Sequence, residues 1–201
     1  LTSAEPGRLL PTIRSRTTHF HLPPLTTDEV RDFLVSQVGV DQGEADRVAP
    51  LARGSIGRAL GFLTDGGEPG PLEQTRQQAL ALLLAALSQD PGERSRAALD
   101  FRPVGARGLG DLFNFLEEAL EELARVAVGI PTPGSGPGAR SALAEAAERL
   151  GIHPATLPRA MERVDQARNQ ASGNVNPQLV VFGLLHALRR DLVARDPASG
   201  S

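Results

Sequence analysis

From Thr26 onward, apolar residues recur at the spacing of one helix face, broken at intervals by capping residues and glycines. Thr26-Thr27-Asp28-Glu29 sets a hydroxyl three residues ahead of a carboxylate, the pattern of a capping box. Val30, Phe33, Leu34 and Val38 follow as one apolar stripe, and Gly39 ends the helix. A second helix is predicted from Asp41, with Glu44 in the capping-box position. It runs through Ala45, Val48 and Leu51 despite Pro50, and Gly54 is its stop. Ser55 caps a third, with Ile56, Ala59, Leu60 and Leu63 on its apolar side. Asp65-Gly66-Gly67-Glu68-Pro69-Gly70-Pro71 opposes regular structure and marks a domain boundary.

Beyond that boundary the periodicity predicts longer helices over 72–88, 93–101, 106–128, 139–150, 155–170 and 177–194, with a Gly/Pro-rich connection over 129–138. Each has a face that must be buried, so the fold class is mainly all-α, with these helices packed as a bundle. The first 24 residues differ. A short helix and short strands are expected there, with His19 and His21 alternating along one strand and so sharing a face.

Composition narrows the chemistry. The 201 residues begin at Leu1 and read as a piece of a longer protein. Cysteine is absent, which removes disulfides and thiolate metal sites and suits a cytoplasmic location. All 21 basic residues are arginine, so no phosphate loop ending in Gly-Lys-Ser/Thr is present. A net charge of −3 argues against a surface that grips DNA directly. No apolar run approaches the roughly 18 residues that a membrane span needs, and no signal-peptide pattern opens the chain. Two histidines without a third ligand make no metal site. Glu117, Glu118, Glu121 and Glu122 read as a solvated helix face. No catalytic arrangement and no cofactor site is evident in this segment.

One short run changes the picture. Leu9-Leu10-Pro11-Thr12-Ile13-Arg14-Ser15-Arg16 resembles the Ser-Arg-Cys motif of AAA+ DNA clamp-loader subunits, with Thr17 where the family usually has cysteine. Two arginines on a short surface helix are ordinarily solvated, so the flanking segments carry the comparison. Leu1 to Pro6, with Thr2 and Ser3, resembles the end of the sensor-1 strand, and Thr18 to Leu25 resembles the last strand of the ATPase core. Arg53 to Leu60 is similar to the sensor-2 region, with Gly57 in the place of the usual arginine and Arg58 one position later. One residue turns a helical side chain by about 100°. Asn174-Val175-Asn176-Pro177 is similar to the start of the last collar helix, and is also an ordinary helix start.

The resemblance implies five parts: the end of an AAA+ core over 1–24, a three-helix lid over 25–65, a linker over 66–71, a helical collar over 72–195 and a tail over 196–201. It implies a non-hydrolysing stator of the bacterial DNA polymerase III clamp loader. Its partners would be the gamma/tau and delta subunits, with the sliding clamp and primed DNA reached through the assembled complex. Arg16 would be an arginine finger serving a neighbour's ATP, since a guanidinium stays charged and forks onto phosphate oxygens. Thr2, Ser3, Gly57 and Arg58 would be vestiges of this subunit's own nucleotide site. Two other readings stay open: an ATP-hydrolysing gamma/tau subunit, and a helical adaptor without ATP chemistry.

Overall fold

A computed structural model describes residues 10–18, 20–102, 105–130, 137–173 and 175–193, and these residues are mainly α-helical. A four-residue helix, α1 (Pro11–Arg14), comes first, and an arm without regular structure over 20–26 leads to three short helices. These are α2 (Thr27–Phe33), continued by a π turn over Leu34–Val38, α3 (Gln42–Val48) and α4 (Ile56–Phe62). The bundle comprises α5 (Pro71–Leu87), α6 (Pro91–Asp100), α7 (Gly105–Ala127), α8 (Pro137–Leu150), α9 (Leu157–Ala171) and α10 (Pro177–Val193), with a 3₁₀ turn over Pro154–Thr156 before α9. No described helix is long and apolar enough to cross a membrane.

The caps explain most boundaries. Thr26 Oγ1 accepts from Glu29 N at 3.2 Å, while Thr26 N donates to Glu29 Oε2 at 2.7 Å, so the capping box closes. The α2 stripe ends as expected at Gly39, whose φ of +79° suits glycine. The second helix ends earlier than its apolar pattern suggests. Pro50 follows Val48 by two residues and has no N–H to continue the ladder, although Ala49 before it stays helical and still donates to Ala45 O at 2.9 Å. Residues 49–54 form turns in place of the expected last turn of helix. Its capping box also stays half open. Asp41 accepts from Glu44 N, but the Glu44 carboxylate reaches instead to Thr64 N at 2.8 Å.

In the bundle, α7 is the axis. Leu112, Phe113, Phe115, Leu116, Leu120 and Leu123 are almost wholly buried against α5, α8 and α9. Each such side chain contributes about 1.5–3 kcal/mol by leaving water. Helix α10 closes the opposite side through Val181, Leu184, Leu185 and Leu188, touching α5, α6 and α9. The end of α5 is capped by arginines from elsewhere in the chain: Arg94 donates to Ser88 O and Arg189 to Leu87 O, at 2.5 and 2.8 Å. Cations at a helix C-terminus meet its partial negative charge.

The Gly/Pro segment between α4 and α5 is a tight turn. Asp65 and Glu68 exchange backbone hydrogen bonds of 3.0 and 2.9 Å across Gly66 and Gly67. Both glycines have positive φ, as a primed two-residue turn requires. The chain therefore doubles back at once, and α4 packs on α5. One sequence expectation fails in the arm. Residues 20–26 have no regular structure and form no ladder, and the isolated Asp65–Glu68 bridge is the only β pairing among the described residues. A strand needs an edge to pair with, and none of the described residues offers one.

Candidate functional site

Arg16 stands just beyond α1. Pro11 opens that helix at its first position, where a missing N–H costs nothing. Ser15 N and Arg16 N then donate to Pro11 O and Ile13 O at 3.0 and 3.1 Å, which closes the turn. Two hydroxyls reinforce it: Ser15 Oγ donates to Thr12 O at 3.3 Å, and Thr17 Oγ1 to Ile13 O at 3.1 Å. Thr17 thus ties down the last turn with a group that cysteine would supply only weakly. The turn presents Arg16 to solvent, and its guanidinium makes no ion pair with any described residue.

The arm after Arg16 is anchored at its far end. Phe20 and Leu22 are more than four-fifths exposed, but Leu25 N donates to Gly54 O at 3.1 Å. Gly54 has a φ of +77°, and a Cβ there would collide with the Leu25 carbonyl and lie 2.6 Å from Pro24 Cβ. Only glycine fits this crossing. The arm thus meets the turn into α4 at the residue between Arg53 and Ser55.

Arg58 has a different environment. Ser55 Oγ accepts from Arg58 N at 3.3 Å, which fixes the first turn of α4. From there the Arg58 side chain turns towards the bundle. Its NH2 lies 3.4 Å from Glu118 Oε1 on α7, and its guanidinium carbon sits 5.9 and 5.4 Å from the ring centres of Phe62 and Phe115. The two rings meet edge to face at 5.8 Å. Arg53, in the turn before α4, reaches the same Glu118 oxygen at 3.3 Å. Gly57, by contrast, is exposed, and a Cβ there would meet nothing closer than Ser55 Oγ at 3.9 Å. Packing does not demand glycine at that position.

Charge gathers where α4 and the turn before it meet the bundle. Burial pushes the Glu118 carboxyl above its usual value, and Arg53 and Arg58 offset this only in part. On the neighbouring helix, Glu73 is 7% exposed, and burial acts to raise its carboxyl too. Arg76 grips it through two hydrogen bonds of 2.9 and 2.8 Å, Gln77 adds a third, and the carboxyl is held below its usual value. Two buried atoms of this region, Arg58 Nε and Glu122 Oε1, have no hydrogen-bond partner.

The expected solvated row of glutamates on α7 is therefore a correction. Glu117, Glu118, Glu121 and Glu122 are all partly covered. Glu117 pairs with Arg168 of α9 at 2.6 Å, and Glu118 with Arg53 and Arg58. An axial helix has neighbours on every side, so its polar face meets other elements before it meets water. Sequence spacing gave no sign of this, because the partners lie 51 and 60 residues away.

Thr2, Ser3, His19 and Asn174 lie outside the described residues. Asn176 caps α10, its Oδ1 accepting from Gln178 N at 2.9 Å, and Pro177 opens the helix. Gln178 then donates to Leu99 O and Phe101 O at 3.0 and 3.1 Å, which ties α10 to the end of α6. Among the described residues no three metal-ligating side chains gather. No protein-family model matches the chain, and no curated protein matches it.

Proposed function

We propose that this chain is the lid and collar region of a delta-prime subunit of the bacterial DNA polymerase III clamp loader, a stator that does not hydrolyse ATP itself. In this reading Arg16 is an arginine finger for ATP held by a neighbouring gamma/tau subunit. The helical bundle is the collar that meets the gamma/tau and delta collars. The assembled ring opens the sliding clamp and places it on primed DNA in the cytoplasm. The observation that carries the reading is Arg16 itself. It is an exposed guanidinium without an ion partner among the described residues, held at the end of a short, hydroxyl-braced helix. Such a group is free to complete a site on another molecule, where charge on a transferring phosphoryl group needs a cation.

A second feature supports the lack of hydrolysis in this subunit. Gly57 stands where the sensor-2 arginine is expected, and Arg58 next to it is already engaged by Glu118 and two phenylalanines. The test is reconstitution. A loader containing the Arg16→Ala subunit is expected to assemble normally but to lose DNA-stimulated ATP hydrolysis. Arg16→Lys should restore little, since an ammonium does not reproduce the planar fork. Normal hydrolysis and clamp loading by the Arg16→Ala complex would overturn the proposal and favour a helical adaptor without ATP chemistry.

A further inference from the structure

We propose that Arg53, Arg58 and Glu118 form an ionic clasp that fixes the angle between the lid (α2 to α4) and the bundle, and so positions the arm that carries Arg16. Three observations converge on it. The first is convergence on a single atom: Arg53 and Arg58, from the two ends of the turn into α4, both meet Glu118 Oε1, at 3.3 and 3.4 Å. The second is strain. Arg53 has a φ of +49°, and it is the one non-glycine residue with positive φ among the described residues. Such a conformation persists only where the surroundings impose it. The third is connection. Arg53 immediately precedes Gly54, whose carbonyl receives Leu25 N from the arm. A shift of the clasp therefore shifts the seat of the arm.

The apolar part of the seam is compact, with Phe62 against Phe115 and Leu72 against the open face of Gly61. That contact joins the lid to the bundle. The charges supply direction. Glu118 faces Arg53 and Arg58 from the lid and Arg76 from α5, and its own helix adds Glu121. Glu122, a turn further along α7, leaves one oxygen buried and unpartnered. Desolvation opposes the charged form of Glu118, so the clasp sets orientation more than it adds stability, a known use of part-buried ion pairs. Protonation of Glu118 would release both arginines. The consequence for Arg16 rests on the function proposed above; the clasp itself does not.

The absence of cysteine makes a direct test available in the full 201-residue chain. Gln37→Cys on the lid and Glu162→Cys on the bundle, both exposed, accept a pair of spin labels. Pulsed electron resonance on the otherwise native chain should give one narrow distance. Glu118→Arg should broaden or split it, and the exchanged pair Arg58→Glu with Glu118→Arg should restore a single narrow distance. If Glu118→Arg does not fold, the nearly isosteric Glu118→Gln carries the test and should broaden the distribution. An unchanged distribution in these single variants, or an exchange that stays broad, would overturn the clasp. Because the readout needs no ATP and no partner, its failure is separable from a failure of Arg16 in the assembled loader.

Discussion

Arg16 and Arg58 are the same side chain at two helix termini, and their surroundings give them opposite fates. Arg58 sits in the first turn of α4, three-quarters covered, with a carboxylate and two aromatic faces in reach. Arg16 sits past the last turn of α1, exposed, with nothing described for its charge to meet. The difference teaches that an arginine's role follows from what the fold brings to it. Arg58 is used up inside the chain, and Arg16 meets no ion partner among the described residues.

The comparison can be broken most forcefully at the seam. Phe62→Ala should cost about 3–5 kcal/mol, because the ring is fully buried and its loss leaves a cavity beside Phe115. Urea unfolding would measure it, and a cost near zero would mean that α4 and the bundle are not packed as described. Arg58→Ala comes next, at roughly 1–3 kcal/mol, since it removes contact with two rings and leaves Glu118 less compensated. Arg16→Ala should change stability by no more than about 0.5 kcal/mol. Equal costs at positions 16 and 58 would erase the contrast.

The smallest effect is one of pH. A carboxyl whose folded value is raised binds a proton more tightly in the folded chain. The Glu118 contribution is thus most favourable in acid and declines as pH rises from the ordinary glutamate value through the raised one. Glu29 and Glu44 work in the other direction. Hydrogen bonds from Thr26 and Thr64 hold them below the usual value, so their contribution is lost as pH falls. Unfolding midpoints of the native chain and Glu118→Gln, followed from mild acid to neutrality, should differ in slope, with the native chain losing more stability on the way up. Parallel curves would remove the argument that Glu118 is held at a desolvation cost.

The bundle was legible in the sequence because its signals are local. Asn176 and Pro177 mark the start of α10 and apolar runs mark the helices, whereas Pro71, which reads as linker, and Pro91, two residues ahead of the expected start, open α5 and α6. The π turn over Leu34–Val38 was not legible, since its apolar residues fit an ordinary helix equally well. Arg16 stood out only through resemblance to a motif. Its exposure and its braced turn needed coordinates. The Arg58–Glu118 pair had no local signature, as its members are 60 residues apart and meet only after α4 folds back onto the bundle.

For the function proposed above, the most direct test sets the two arginines side by side in a reconstituted clamp loader. Loaders are reconstituted with the native chain, with Arg16→Ala and with Arg58→Ala, and ATP hydrolysis is measured on primed DNA once equal incorporation of the subunit has been verified. The account predicts a marked loss for Arg16→Ala despite its unchanged stability, and a smaller loss for Arg58→Ala despite its weaker fold. Hydrolysis that follows stability, falling for Arg58→Ala and staying at the native level for Arg16→Ala, would contradict it.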